Sequence, residues 1–410
     1  MQQYQIQPRQ TFLKDLSASF LVFLVALPLC LGIAIASGVP PARGLLTGII
    51  GGLLTGALAG APLAVSGPAA GLTVLIFELV TRHGLAALGP IVLMAGLLQI
   101  LAGFARIGGL VRHIPHEVVD GMLAAIGLIL AAGQFNVLLG ATPAASFLNN
   151  LRHVPASIEA INPAAAGLGT LAIASLLAWE KLRPARLDNI PGALVGVVLA
   201  TAAAALWHPD VARITLPASL ASAIAPVSRD GLLAALTPAM LGAALSVALI
   251  ASVESLLSAA AVDRMTPGRR QADYARELMA QGAGNMLCGA VGALPMTGVI
   301  VRSAANVRAG ARTRVSAILH GVWLLAFVML APDLLRMVPT AALAGLLIVV
   351  GMRLVNVKQV SWLAGQGWLP LGVYGVTLCT VLGTNLLTGV VVGLACHAAG
   401  RAAQRFLQAS

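Results

Sequence analysis

Two ionisable residues stand inside long apolar runs of this 410-residue chain. Glu254 lies within Ser252-Val253-Glu254-Ser255-Leu256-Leu257-Ser258, and Arg302 opens Arg302-Ser303-Ala304-Ala305-Asn306. A charge placed in hydrocarbon costs at least ~2.5 kcal/mol, so such residues usually face a cavity or a partner and carry function. Glu254 can serve as a coupling group: a carboxyl withdrawn from water can take up a proton, and an ionised one can help bind a cation. Ser258, one helical turn on, shares its face. The alternative is a structural carboxylate hydrogen-bonded between helices. Arg302 can add positive potential to an anion site, pair with Glu254, or snorkel to the interface as an anchor.

Two helix-breaking sequences complete the constellation. One is Val65-Ser66-Gly67-Pro68-Ala69-Ala70-Gly71, the other Leu294-Pro295-Met296-Thr297-Gly298. Each opens a short apolar segment. A helix that begins in mid-membrane leaves its first N–H groups unpaired and turns its positive end toward a cavity. Two such ends facing each other bind an anion without needing a buried Lys or Arg. The candidate substrate-binding residues are therefore Ser66, Gly67, Pro68, Ala69, Ala70, Met296, Thr297, Gly298 and Arg302, with Glu254 and Ser258 for ion coupling. Gly and Pro are common in membrane helices, but paired breaks at matching places in two halves point to a transporter site.

Other chemistries find little support. The cysteines Cys30, Cys288, Cys379 and Cys396 are scattered singly and read as small core residues, with no CxxC or Cys/His cluster for a disulfide framework or metal. The histidines are read as dispersed at loops or span ends; His113 and His116 only flank Ile114-Pro115. No GxSxG, Walker or HExxH motif is present. No cofactor is expected, an enzyme is not expected, and the energy source should be an ion gradient. Glu78, one turn before Arg82, reads as an interfacial pair.

The elements that must hold these residues follow from composition. Hydrophobic residues are 59% of the chain, charged residues 10%, and the mean hydropathy is +0.92. A soluble domain needs roughly a quarter of its residues charged. Fourteen apolar segments are predicted, near residues 19–37, 43–60, 65–80, 84–104, 118–140, 163–179, 191–207, 236–262, 274–293, 296–308, 314–331, 337–354, 368–384 and 386–400, most of about 17–25 residues. The first, from Phe20 to Ala36, lacks a convincing cleavage site and reads as a span, not a signal peptide. With a cytoplasmic N-terminus, about 18 Lys and Arg fall inside and about 6 outside, as the positive-inside rule requires. The inner clusters include Arg106 and Arg112; Lys181, Arg183 and Arg186; Arg264, Arg269, Arg270 and Arg276; and Arg308, Arg312 and Arg314. The net charge of +11 thus sets orientation and is not a nucleic-acid footprint. The partners expected are a small inorganic anion, a coupling proton or sodium ion, and membrane lipid.

The chain divides at residues 208–235, which open on His208-Pro209-Asp210 and carry Pro217 and Pro226. Seven segments precede this linker (residues 1–207) and seven follow it (236–410). An odd number per half makes the second half enter inverted. The expected fold is all-α and polytopic, with about fourteen spans in two inverted seven-segment repeats.

The residues carrying these readings resemble the SulP, or sulfate permease, family of anion transporters. The resemblance runs through nearly the whole chain: Val25-Ala26-Leu27-Pro28 with Gly38-Val39-Pro40-Pro41, Ser66-Gly67-Pro68-Ala69-Ala70, Arg106-Ile107-Gly108, Ile114-Pro115, Val118-Val119-Asp120-Gly121 and Gln134. It continues with Glu254-Ser255-Leu256-Leu257-Ser258, Gly282-Ala283-Gly284-Asn285, Pro295-Met296-Thr297-Gly298 and Arg302-Ser303-Ala304-Ala305-Asn306. The resemblance implies a core and a gate domain, elevator-type alternating access and an anion between the broken third and tenth helices. It also implies an acid on the eighth span for coupling and, as members often work so, a homodimer. The expected home is a bacterial inner membrane, and the expected substrates are sulfate or bicarbonate. This chain departs from the family in ending at Ser410, where most members continue into a STAS domain, in Leu29 where a glutamine often follows the proline, and in Asn385 where many have an acid. An uncoupled anion channel or exchanger and a nucleobase transporter of the same fold are the competing functions. Thr297 and Arg302, with no acid on the tenth segment, suit an anion better than a neutral base.

Overall fold

The computed structural model describes residues 8–409 apart from 107, 110–114, 145, 185–186, 188–189, 218, 235 and 268–270. Arg112, Arg186, Arg269 and Arg270 of the basic clusters, His113, and Ile107 and Ile114 of the family motifs lie outside the described residues. Hydrocarbon offers the backbone no hydrogen bonds, so apolar runs of this length must satisfy their own.

The helices of the first half are α1 (Pro8–Ala36), α2 (Pro41–Ile50), α3 (Gly56–Leu58), α4 (Thr73–His83), α5 (Leu88–Phe104), α6 (His116–Leu138), α7 (Phe147–Glu159), α8 (Pro163–Leu182) and α9 (Gly192–Trp207). A π-helical stretch, Gly51–Thr55, makes α2 and α3 one span. The linker holds α10 (Arg229–Ala234). The second half has α11 (Pro238–Met265), α12 (Tyr274–Ala290), α13 (Ile300–Arg308), α14 (Val315–Leu330), α15 (Pro332–Arg336), α16 (Thr340–Leu354), α17 (Val357–Gln366), α18 (Trp368–Gly383) and α19 (Leu386–Ala409). Two short strands, β1 (Ser66–Gly67) and β2 (Thr297–Gly298), precede α4 and α13.

Each predicted segment falls on a helix. Among the described residues eight helices are long and apolar enough to cross a membrane, and α9, α14 and α18 are shorter apolar helices. The remaining three predicted segments correspond to α4, α12 and α13. Two of these are the half-helices after the breaks; α12 is a full helix carrying buried Glu277, Gln281 and Asn285. Three details differ from expectation. The first helix begins at Pro8 rather than near 19, and buried Asp15 accepts from the amides of Arg312 (2.6 Å) and Thr313 (3.1 Å). The loops also contain α7 and α17, whose N-cap side chains Ser146 and Asn356 accept amide hydrogens.

Packing follows one plan in both halves. Helix α1, the first span, packs on α14, the eleventh; α11, the eighth, packs on α5, the fourth. The pair α8–α9 is matched by α18–α19, and α6–α18 by α8–α16, with α6 against α16. The α5–α12 contact is the closest type, with Gly96 and Gly282 facing each other. A Cβ on Gly96 would lie 2.5 Å from the Met286 amide nitrogen, so only glycine lets these backbones meet. The linker contains no spanning helix among its described residues. Its start pairs with residues 338–340, through Ile214 N–H to Val338 O (3.0 Å) and Thr340 N–H to Ala212 O (3.0 Å).

The broken-helix site

The two breaks meet. β1 and β2 pair antiparallel, with Ser66 opposite Gly298 and Gly67 opposite Thr297, and Val299 N–H donates to Val65 O at 2.9 Å. Neither sequence can continue as helix here: Pro68 and Pro295 lack the N–H and disfavour helical backbone in the residue before them. Extended strands in mid-protein would leave polar backbone unsatisfied, and the antiparallel ribbon answers that. Helix α4, after the 3₁₀ turn Ala70–Leu72, and helix α13 leave the ribbon from its two strands. Their unpaired first amides flank one small region.

Four side chains from three helices fix this ribbon. Ser255 Oγ of α11 accepts the Gly298 amide (3.1 Å), and Ser303 Oγ of α13 accepts the Val65 amide (3.0 Å). Gln281 of α12 donates to Ser66 Oγ at 2.7 Å. Asn285 grips Met296 by both backbone groups, accepting its N–H (2.7 Å) and donating to its C=O (3.1 Å). Met296 sits at the back of the site, where its sulfur takes the Thr55 hydroxyl at 3.2 Å.

Glu254 of α11 is half-buried, and its carboxylate lies between the two arms. A Cβ added to Gly71 would overlap Oε1, and the carboxylate reaches the Thr297 side chain. The acid therefore stands at the start of α4, beside β2. Ser258 packs against Gly298 of β2, where an added Cβ would lie 3.3 Å from its own Cβ, and its hydroxyl lies 3.4 Å from that of Ser303.

Arg302 is fully buried, so its guanidinium does not snorkel to a surface. It lies under β1, with Nη1 packed on Gly67 and Nη2 3.4 Å from the carbonyl of Pro68. Nε and Nη1 have no hydrogen-bond partner, and among the described residues no ion pair joins Arg302 to Glu254. Ala69 is buried and Ala70 half-buried beside it.

Several neighbours were not singled out from the sequence. Glu277 is a further charged residue inside a helix, fully buried, accepting from the Ala61 amide and from Gln281 (both 2.9 Å). The expectation that histidines stay at loops and span ends fails for His320: it lies within α14, fully buried, and feels the charge of Arg302. Cys30 of α1 also faces that guanidinium. Of the cysteines, Cys30 and Cys288 are core residues as expected, but Cys379 is exposed on α18. The Glu78–Arg82 pair forms as predicted, at 2.7 Å.

A helical membrane fold with two half-helices meeting inside it defines a multi-pass transport protein. Residues 12–367 match the family described as the sulfate permease family. The chain belongs to that family; it is an anion transporter and not an enzyme. It is 29% identical to YvdB of Bacillus subtilis (strain 168) over 394 residues, covering 94% of this chain and 72% of that one. It is 28% identical to the bicarbonate transporter BicA of Picosynechococcus sp. over 404 residues, 93% and 68% of the two chains. In three dimensions it resembles the transmembrane domain of a cyanobacterial BicA with a TM-score of 0.79 at 24% identity, covering 96% of this chain and 98% of that one.

Proposed function

We propose that this chain is a secondary active transporter of small inorganic anions of the sulfate or bicarbonate class, coupled to protons or sodium through Glu254. The observation that carries the reading is the β1–β2 ribbon, which brings two helix starts and the Glu254 carboxylate to one place. The anion is held by amides of Ala69 and Ala70 and by the Thr297 hydroxyl, with Ser66, Gly67 and Pro68 as its floor, while Gly298, whose amide is taken by Ser255, fixes the second strand. Arg302 adds charge from beneath. Met296 acts through its backbone, and Ser258 by holding Ser303.

The two halves, 1–207 and 236–410, form inverted repeats joined by 208–235; the matched packing pairs support this. Helices α1, α2, α4, α5 and α11 to α14 form a core that carries the site. Helices α6, α8, α9, α16, α18 and α19 form a gate against which the core moves as an elevator.

Occupying the site should stop transport without unfolding the protein. Ala69→Trp and Thr297→Trp are expected to abolish anion uptake in proteoliposomes while the purified proteins stay monodisperse. Unchanged uptake in both would remove the basis of this reading.

A further inference from the structure

We infer that Gln281 and Asn285 of α12 are positioning residues that set which size of anion the site accepts, an inference that rests on the transport reading above. Glu277, Gln281 and Asn285 recur every four residues and so line one face of α12. Over eight residues this face rises about 12 Å, and it touches both arms of the site. Its lower end holds the first arm: Glu277 takes the Ala61 amide (2.9 Å), and Gln281 bridges Glu277 (2.9 Å) to Ser66 (2.7 Å). Its upper end holds the second arm through the two-bond grip of Asn285 on Met296, the residue before Thr297.

One rigid helix therefore fixes both arms, and with them the separation of the two helix starts. Asn285 is itself locked: its Nδ2 also donates to Gln99 Oε1 (2.7 Å), and Gln99 donates onward to Ser252 on the Glu254 helix (3.2 Å). Of the polar atoms of these side chains, Gln281 Oε1 alone has no hydrogen-bond partner among the described residues. All four amide and carboxylate side chains, Gln99, Glu277, Gln281 and Asn285, are fully buried, where an unmet polar partner is costly. Close packing removes the remaining freedom. A Cβ on Gly284 would lie 2.9 Å from the Met296 sulfur, so the arm sits directly on the helix.

An anion gripped between two helix starts is measured by their spacing. Loosening one arm lets the gap follow the ion, so large and small anions become less distinguishable. Loss of fold alone would lower transport of every anion by the same factor.

The test compares labelled bicarbonate, sulfate and chloride in proteoliposomes with wild type, Gln281→Ala, Ser66→Ala, the Gln281→Ala/Ser66→Ala double variant and Asn285→Ala. Asn285→Asp, which keeps the acceptor for Met296 N–H, replaces Asn285→Ala if the latter is not monodisperse. The expected result is a change of about tenfold in the ratio of kcat/KM between the best and worst anions, the size of one well-made buried hydrogen bond. The effects of Gln281→Ala and Ser66→Ala should combine less than additively in the double variant, because both remove the Gln281–Ser66 bond, and Gln281→Ala, which also removes the bond to Glu277, should have the larger effect. An unaltered ratio with uniformly lower rates, or additive effects in the double variant, overturns the positioning role. If wild type moves none of the three anions, the transport reading fails instead, and the two failures are told apart.

Discussion

Glu254→Gln is expected to bind and exchange the anion yet lose concentrative uptake and its dependence on pH. The carboxylate stands against Gly71 at the start of α4 and reaches Thr297, so an arriving anion meets a like charge unless the acid is protonated. Anion and proton then bind together, and by linkage each promotes the other. Inward transport by wild type should accordingly be faster at acidic external pH. The amide imitates the protonated acid permanently: it removes the repulsion but has no proton to release. Counterflow should persist near wild-type rates while accumulation against a gradient falls to the level of empty liposomes. Gly71→Ala attacks the same contact from the other side, since its Cβ takes the space of Oε1, and should uncouple transport in the same way. Accumulation with normal pH dependence in Glu254→Gln would show that Glu254 is not the coupling residue. A strict need for external sodium would assign the carboxylate to a sodium ion.

Arg302→Ala is expected to weaken the apparent anion affinity about 10- to 100-fold, the range of a charge-assisted interaction of 1.5–3 kcal/mol. Stability should change far less than a buried ion pair would suggest. Truncating one member of such a pair strands the other and costs about 3–5 kcal/mol, but among the described residues Arg302 has no acidic partner to strand, and its Nε and Nη1 have no acceptor. Arg302→Lys should recover part of the affinity, because the charge remains while the planar fork is lost. The measurement is the concentration dependence of uptake alongside thermal unfolding in detergent. Unchanged affinity with a large loss of stability would make the guanidinium a structural element only.

Much of this arrangement was legible because the membrane imposes strong local rules. Apolar runs announced the spans, and Pro68 and Pro295 with their glycines announced the two breaks. Glu254 and Arg302 were conspicuous as charges without a local reason. What stayed hidden depends on contacts far apart in sequence. The pairing of Ser66 with Gly298 spans more than half the chain, and no local pattern gives its register. The polar face of α12 was visible only as part of a glycine-containing motif; the four-residue spacing of Glu277, Gln281 and Asn285 was the signal that could have found it. His320 sits in an apolar run, and its burial beside Arg302 follows from the packing of α14 on α1 and on the π-helical stretch, where a Cβ on Gly52 would lie 3.1 Å from its Nδ1. Helices α7 and α17 are short and amphipathic, so a search for long apolar stretches passes over them.

Gradient-driven carriage of a small anion at the meeting point of the two broken helices has one decisive measurement. Uptake of labelled sulfate and bicarbonate into proteoliposomes, with imposed pH and sodium gradients in turn, tests it most directly when wild type and Thr297→Trp are measured together. Wild type should accumulate at least one of these anions above equilibrium when the outside is acidic and lose that accumulation when the proton gradient is dissipated, and Thr297→Trp should show no uptake. Anion flux that ignores both gradients, or that survives in Thr297→Trp, would contradict it.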